Sequence, residues 1–277
     1  MGQGIIEGSL HGEFSKTIHR KFTKAIEEYR LLQGGDRVCV CVSGGKDSML
    51  LSALFREYEK HGKVPILAKY LVMDPGYSEE NLALIKENAA RLALPIETFA
   101  TEIFKHTEHA EKNPCFLCAK MRRGHLYSKA QEIGCNKIAL GHHFDDVIES
   151  ILMGTIYGGQ AQTMLPRVRS KNYVGMELIR PLYLIRERDI IAWRDSCGLE
   201  FLQCACHVTQ RDEGSKRKLI KRLIAELAED NPQTEQNIFR SVCNVRLDRL
   251  MSYKDENDKI HGFLDNFDDL RTDNDRS

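Results

Sequence analysis

The chain has 277 residues, of which 42% are hydrophobic and 29% are charged, and its 40 basic side chains balance 40 acidic ones. Such a composition indicates a globular protein long enough for one large α/β domain or two small ones. It excludes a membrane-spanning chain, because no apolar run approaches the ~20 residues that a membrane helix needs. Nine cysteines without a signal peptide favour metal ligands, reactive thiols and core positions over a disulfide framework. We therefore expect a cytoplasmic protein.

Strands and helices alternate along the predicted chain. After an amphipathic helix over 14–32, apolar runs of strand type are followed by segments whose apolar residues have helical spacing. This alternation predicts an α/β fold with a doubly wound, mostly parallel sheet and helical extensions at both ends. The predicted strands are 37–42, 64–73, 95–100, 135–140 and 176–180, a basic helix follows at 119–132, a further helix at 147–157, and the last two helices at 215–228 and 233–252.

The loop Ser43-Gly44-Gly45-Lys46-Asp47-Ser48 lies between the first predicted strand and a helix. Its glycines allow backbone N–H groups to approach an anion, and the helix N-terminus and Lys46 add positive charge. The spacing is not that of a Walker A loop. The alternative is an ordinary glycine turn.

The predicted ATP site combines this loop with residues that follow the second and fourth strands. Asp47 is a candidate Mg²⁺ ligand, and Gly141 allows a close backbone approach. The predicted ATP-binding residues are Cys41, Val42, Ser43, Gly44, Gly45, Lys46, Asp47, Ser48, Val72, Gly141 and Asp146.

Cysteines form a second group. Cys115-x-x-Cys118 is compatible with a redox dithiol, half of a zinc site or two ligands of an iron–sulfur cluster. A later pair, Cys204-Ala205-Cys206, has a shorter spacing than a second C-x-x-C. The remaining cysteines are expected to be structural, and these are Cys39, Cys41, Cys135, Cys197 and Cys243.

Taken together, the motifs carry a resemblance to a known family. The loop, the segments 115–124, 138–146 and 179–182, and a third cysteine occur in the order found in the tRNA 2-thiocytidine synthetase (TtcA) family. That family belongs to the TtcA/TtuA group of PP-loop (N-type ATP pyrophosphatase) tRNA thiolation enzymes. The resemblance covers about 14–245, and the absence of any cysteine before Cys39 favours the TtcA branch over the TtuA branch, which carries extra cysteine pairs.

The resemblance implies an adenine nucleotide alpha hydrolase-like fold and ATP-dependent thiolation of a tRNA base. ATP would adenylate the C2 oxygen of cytidine and release pyrophosphate, and sulfide would then displace AMP. It also implies a 4Fe-4S cluster held by Cys115, Cys118 and Cys204, with Cys206 as the rival third ligand. Mg²⁺, a homodimer, and a sulfur donor that is either a cysteine desulfurase or free sulfide complete the expected cofactors and partners.

The expected catalytic residues are Asp146, Arg122 and Lys46. The weaker tRNA-binding candidates lie on two basic segments, 119–132 and 216–222, which could equally be solvated helix faces; they are Lys120, Arg123, Lys216 and Arg217. Rival functions are another PP-loop enzyme, such as one similar to tRNA lysidine synthetase or one that thiolates a different base or a small molecule, and a non-catalytic metal- and nucleotide-binding regulator.

These assignments divide the chain into three regions. An N-terminal arm and helix occupies 1–35, the PP-loop ATP pyrophosphatase domain with the iron–sulfur site occupies 36–210, and C-terminal helices with an acidic tail occupy 211–277. Within the last region, 211–222 has six basic residues against two acidic ones, whereas 255–277 has eight acidic against three basic. We therefore expect a local electropositive face before the tail.

Overall fold

The computed structural model describes residues 8–104, 114–202 and 216–266, of which 114–116, 118, 119 and 266 are described by their backbone alone. Six strands form the main sheet: β1 (Arg37–Val42), β2 (Leu67–Asp74), β3 (Ile96–Ala100), β4 (Lys137–Ala139), β5 (Arg167–Arg169) and β6 (Glu177–Ile179). Their order is β3-β2-β1-β4-β6-β5, and every neighbouring pair is parallel except β5 and β6. The predicted α/β class and the mostly parallel sheet are confirmed.

Eight α-helices accompany the strands in the described residues. The first continues directly from a short π-helical segment, Ser15–His19. The helices are α1 (Arg20–Glu28), α2 (Lys46–His61), α3 (Glu79–Arg91), α4 (Pro114–Glu132), α5 (Phe144–Gly158), α6 (Glu187–Cys197), α7 (Lys216–Asp230) and α8 (Thr234–Ser241). None of the helices described here combines the length and apolar character that crossing a bilayer requires.

Alternating side chains of β1 pack into two hydrophobic cores, one on each face of the sheet. Val38, Val40 and Val42 pack with α1, α2, α3 and α6, whereas Cys39 and Cys41 pack on the other face with residues of α4. The two-residue period of a strand produces this division, and burial on both faces explains why β1 is apolar throughout. Cys135 and Cys197 are also buried, as predicted, but Cys243 is exposed.

A buried ion cluster joins the sheet to the N-terminal helix. The ammonium of Lys137 on β4 lies 2.9 Å from a carboxylate oxygen of Asp36 and 3.2 Å from one of Glu177. It also donates a 2.8 Å hydrogen bond to the carbonyl of Leu31, just beyond α1. Buried charges persist only when paired and hydrogen-bonded in this way, so the cluster fixes the helix relative to β1, β4 and β6.

Two regions contain strands that the sequence did not predict. The segment 158–175, predicted as a loop, contains β5, which pairs antiparallel with β6. The helix predicted over 233–252 ends at Ser241, and a hairpin of Ser252–Lys254 and Ile260–Gly262 follows. Both regions contain strands of only three residues, which are too short to show the alternation that distinguishes a strand in the sequence.

Candidate active site

The glycine loop follows β1 and turns into α2 at Lys46. The hydroxyl of Ser48 accepts a 3.1 Å hydrogen bond from the backbone N–H of Ser43 and donates one of 3.0 Å to the carbonyl of Gly45. Gly44 has a φ of +83°, and a Cβ at this position would lie 2.6 Å from a side-chain carbon of Ile85. The loop therefore needs a glycine here for both its conformation and its close packing.

The loop lies at the point where the sheet changes winding direction, between the carboxyl ends of β1 and β4. Gly141 follows β4, and a Cβ there would lie 3.1 Å from the carbonyl carbon of Asp47 and 3.2 Å from the backbone nitrogen of Ser48. Ligands of open α/β sheets bind in this crevice. The expectation that Gly141 permits close backbone approach agrees with these distances.

A cavity of roughly 480 Å³ opens beside the loop. Several predicted site residues surround it, and they come from β1, the loop, α4, α5 and α7. These are Cys41, Val42, Ser43, Asp47, Ser48, Arg122, Arg123, Gly141, Asp146 and Arg217. A volume of this size suits a nucleotide or a base.

Four predicted ATP-binding residues do not line this cavity, and Gly44, which packs against Ile85, is one of them. Gly45 and Lys46 line a second cavity of roughly 620 Å³ on the other side of the loop, together with Glu187 and Leu202. Val72 is buried in the core shared with β1, and its neighbours Leu71 and Met73 line the first cavity instead. The part of these residues in ATP binding stays a prediction.

Lys46 is held by carboxylates at the start of α2. Its ammonium lies 3.1 Å from Asp47 and 3.3 Å from Glu187, and Glu187 also pairs with Lys221 of α7. Burial raises the pKa of Glu187, but the hydrogen bond from Lys221 and the charge of Lys46 outweigh it and lower that pKa to about 2. Lys46 thus belongs to a charge network in which Glu187 and a phosphate would be alternative anionic partners.

Asp146 is engaged through both of its carboxylate oxygens. One accepts a 3.0 Å hydrogen bond from the backbone N–H of His143 and completes a capping box at the start of α5. The other accepts a 3.0 Å hydrogen bond from Arg217, whose guanidinium also donates at 2.6 Å to the buried Glu149. Asp146 therefore has a structural role, and the predicted catalytic role stays a prediction.

Two histidines after β4 were not singled out by sequence reasoning. The His143 imidazole lies 3.9 Å from Asp47 and 3.5 Å from Asp146, between the two carboxylates. His142 lines the 480 Å³ cavity, and burial, assisted by Arg180, lowers its pKa to about 4. His142 is consequently neutral at physiological pH. Their position directly after a buried strand beside Gly141 was the available signal.

The Cys115-x-x-Cys118 motif falls in the first turn of α4, which begins at Pro114. The sequence predicted this helix only from 119, although proline favours the first helical position. Arg122 is one turn further along, with its guanidinium 5.6 Å from the centre of the Phe104 ring. By helical spacing, positions 115, 118 and 122 share one face of α4.

Cys204 and Cys206 lie outside the described residues, but the chain is anchored to the loop before them and to α5 after them. The backbone N–H of Leu202 donates a 3.1 Å hydrogen bond to the carbonyl of Gly44. The chain is described again from Lys216, and the next residue, Arg217, binds Asp146. Cysteine thiolates are the usual ligands of iron–sulfur clusters, so the residue types present fit such a group.

The predicted tRNA-binding residues divide between two environments. Lys120 and Arg123 are exposed on α4 and line a third, basic cavity. The Lys216 ammonium lies 4.8 Å from the centre of the Tyr157 ring, and Arg217 is paired with carboxylates as described above. Their part in RNA binding stays a prediction.

Comparisons with known proteins agree with this geometry. A family model described as a PP-loop domain matches residues 14–227. A tRNA-cytidine(32) 2-sulfurtransferase of Coxiella burnetii (strain CbuG_Q212) is 37% identical over 236 residues, which are 83% of this chain and 90% of that protein. One from Alcanivorax borkumensis is 35% identical over 243 residues, 86% of this chain and 84% of that protein.

The fold is also similar to that of a solved structure, the U34-tRNA thiolase NcsA from Methanococcus maripaludis with its [4Fe-4S] cluster. The TM-score is 0.63 at 20% sequence identity, and the match covers 80% of this chain and 76% of that one. The family model spans most of the chain. The matches to the two sequence relatives cover 90% and 84% of the relatives' own length. The chain therefore belongs to the PP-loop family and, within it, to the tRNA-cytidine(32) 2-sulfurtransferase family.

Proposed function

We propose that the protein is a tRNA sulfurtransferase that uses ATP to convert a cytidine of tRNA into 2-thiocytidine, with release of AMP and pyrophosphate. One observation carries this proposal beyond family membership. The glycine loop and the helix that begins with Cys115-x-x-Cys118 border the same cavity, and the segment with Cys204 begins two residues after the anchor at Leu202. The group that activates the C2 oxygen and the group that supplies sulfur would then act at the same position of the base.

Activation of the oxygen is assigned to the loop. Backbone N–H groups of 43–45, the N-terminus of α2 and the Lys46 ammonium would bind the ATP phosphates and stabilise the charge that develops as pyrophosphate leaves. Because Lys46 is paired with Glu187, phosphate binding exchanges one anionic partner for another. Arg122, on the opposite wall of the 480 Å³ cavity, would orient the adenylated base.

Mg²⁺ fits the two carboxylates that flank His143. Magnesium in phosphoryl-transfer sites is bound by one or two carboxylates together with substrate phosphates. We assign this role to Asp47 and Asp146, which both line the cavity beside the loop. Neutral His142 at the same cavity can accept or donate a hydrogen bond to the base without adding charge.

The 4Fe-4S cluster would be held by Cys115, Cys118 and Cys204, with Cys206 as the rival ligand, and when bound it supplies an open iron for sulfur delivery. The sulfur itself would come from a cysteine desulfurase or free sulfide. We further propose a homodimer, as the family resemblance implies, and a cytoplasmic location, since tRNA is the substrate.

Thiolation is tested with anaerobically purified protein, unmodified tRNA, ATP, Mg²⁺ and sulfide. We expect pyrophosphate release and 2-thiocytidine in the digested tRNA by mass spectrometry, both lost when ATP or Mg²⁺ is omitted. Thiolation at another base, or pyrophosphate release without any thionucleoside, would contradict the proposed reaction.

The ligand set is tested in parallel by counting iron and sulfide in Cys115→Ala, Cys118→Ala, Cys204→Ala and Cys206→Ala. Cys243→Ala is the matched control, because this exposed cysteine lies on no proposed ligand segment. We expect cluster loss in the first three variants and full iron in the last two. Loss of iron in Cys206→Ala with retention in Cys204→Ala would show that Cys206, and not Cys204, is the third ligand.

A further inference from the structure

A third cavity, of roughly 690 Å³, lies between α4 and the hairpin formed by β5 and β6. Its walls come from α4, from the turn that joins the two strands and from the end of β6. Five cationic side chains line it: Lys120, Arg123, Arg169, Lys171 and Arg180. No carboxylate lines it among the residues that the structure describes.

Among the described residues, few carboxylates offset the positive charge of this cavity. Across the described ranges, no carboxylate lies within 4 Å of the charged groups of Lys120, Arg123 or Lys171. The neighbouring Glu177 is already bound by Arg167, at 2.9 and 2.8 Å, and by Lys137. Arg169 reaches Glu177 only at 3.7 Å, and its side chain is 89% exposed. Such a surface favours an anionic ligand.

Arg180 forms the inner wall of the cavity. Burial lowers the pKa of its guanidinium, and the nearby charge of Arg123 lowers it further. One guanidinium nitrogen donates to the carbonyl of Leu165, but the buried Nε has no hydrogen-bond partner in the described part of the chain. A buried donor without a partner is costly, so the position of Arg180 is maintained at some expense of stability.

The hairpin is held firmly against α4. The rings of Tyr173 and Tyr127 stack at 5.0 Å with an angle of 10° between their planes. The Tyr173 hydroxyl donates a 3.0 Å hydrogen bond to the carbonyl of Gly124, and the backbone N–H of Ser170 donates to the carbonyl of Met176 across the turn. The backbone that carries Arg169 and Lys171 is therefore fixed before any ligand arrives, which lowers the entropic cost of binding.

The basic cavity adjoins the cavity beside the glycine loop. Arg123, Tyr127 and Leu178 line both. A polyanion bound in the basic cavity would thus extend directly to the place where the base and ATP are proposed to meet.

We infer that the cavity between α4 and the β5–β6 hairpin binds the phosphodiester backbone of RNA beside the base that is modified. The inference rests on the proposed function and adds Arg169, Lys171 and Arg180 to the RNA-binding surface. Backbone phosphate is the anion that an array of lysine and arginine donors recognises irrespective of sequence.

The test compares the double variant Arg169→Ala/Lys171→Ala with Lys24→Ala/Lys86→Ala. The control removes the same charge from exposed positions of α1 and α3, which pack on the opposite face of the sheet. Fluorescence anisotropy with unmodified tRNA at several salt concentrations is measured together with ATP and pyrophosphate binding. We expect a roughly tenfold weaker Kd for tRNA in the first variant and a salt slope reduced by about 1–2.

The control should bind tRNA as the wild type does, and both variants should keep the wild-type Tm and ATP affinity. Unchanged tRNA affinity and salt slope in Arg169→Ala/Lys171→Ala would overturn the inference. A parallel loss of pyrophosphate affinity would assign the cavity to the nucleotide's phosphates instead. Failure of the proposed function is distinguishable, because the wild type itself would then form no thionucleoside.

Discussion

At the scale of single residues, two glycines share a backbone conformation but differ in their surroundings. Gly44 in the loop and Gly35 before β1 have φ values of +83° and +87°. A Cβ at Gly44 would meet Ile85 at 2.6 Å and Leu202 at 2.9 Å, whereas nothing lies within 4 Å of one at Gly35. Alanine substitutions at these two positions therefore separate the effect of backbone strain from the effect of a steric clash.

Gly44→Ala should therefore be more destabilising than Gly35→Ala. Strain at positive φ costs about 1–2 kcal/mol in either variant. At Gly44 the overpacking adds a further 1–3 kcal/mol or so and displaces the loop, so ATP affinity falls as well. Urea denaturation and ATP titration measure the two effects. Equal destabilisation by the two substitutions would show that the packing around Gly44 yields without cost.

At the scale of elements, ion pairs attach α7 to the helices that border the loop. Arg217 binds Asp146 and Glu149 of α5, and Lys221 binds Glu187 of α6. Ile220 and Ile224 of the same helix are buried in a hydrophobic cluster with residues of α5 and α8. The helix that follows the cysteine-bearing segment is thus fixed by polar contacts along one side of an apolar stripe.

Arg217→Ala should destabilise the protein by roughly 1–2 kcal/mol, because it leaves the buried carboxylate of Glu149 without its partner. It should also raise the KM for ATP, since Asp146 loses one of its two hydrogen-bond donors. Thermal unfolding and pyrophosphate-release kinetics measure the two effects. Lys218→Ala, one exposed residue along the same helix, is the control and should change stability by less than about 0.5 kcal/mol. An unchanged KM in Arg217→Ala would separate this ion pair from nucleotide binding.

Local sequence signals predicted the elements that are long and regular. The strand at Arg37–Val42 was predicted with its observed bounds, and Ser78 caps α3 by accepting a hydrogen bond from the backbone N–H of Asn81. The short strand β5 was missed, because its pairing with β6 depends on a partner and not on its own three residues. The predicted end of the last helix was wrong for the same reason, since the hairpin after it is defined by cross-strand contacts.

At the scale of the whole molecule, the stability of the fold depends on pH through two groups near the active site. Burial holds the pKa of His142 at about 4, below its ordinary value of 6.5, whereas the pKa of Glu187 is held at about 2, below 4.5. In both cases the unfolded chain binds the proton more readily than the folded one. Stability therefore falls as the pH falls, from about 6.5 to 4 through His142 and from about 4.5 to 2 through Glu187.

His142→Gln should reduce the loss of stability between pH 6.5 and 4 and leave the loss below pH 4 unchanged. Its Tm should decline less than that of the wild type between pH 6.5 and 4. Some decline remains, because burial and the charge of His11 lower the pKa of His19 in the same direction. Differential scanning fluorimetry across pH 3–8 measures the effect. Parallel curves of Tm against pH for variant and wild type would exclude His142 as a cause of the loss of stability at low pH.

The composition of the site was only partly accessible from the sequence. The loop and Gly141 could be placed together, because parallel strands bring their carboxyl ends to one edge of the sheet. The pairing of Arg217 with Asp146, and of Lys46 with Glu187, could not, because each joins helices whose relative position depends on packing. The basic cavity was missed because half of it belongs to β5 and the turn after it.

The short strand β5 also has a consequence for how the protein behaves in concentrated solution. Without it, β6 would present unpaired N–H and C=O groups at the end of the sheet, ready to pair with a strand of another molecule. β5 covers β6, and as an edge itself it is three residues long and carries Arg167 and Arg169. Short, charged edges resist strand-to-strand aggregation. The arginine that we assign to RNA backbone binding thus also helps to keep the protein from aggregating before RNA is bound.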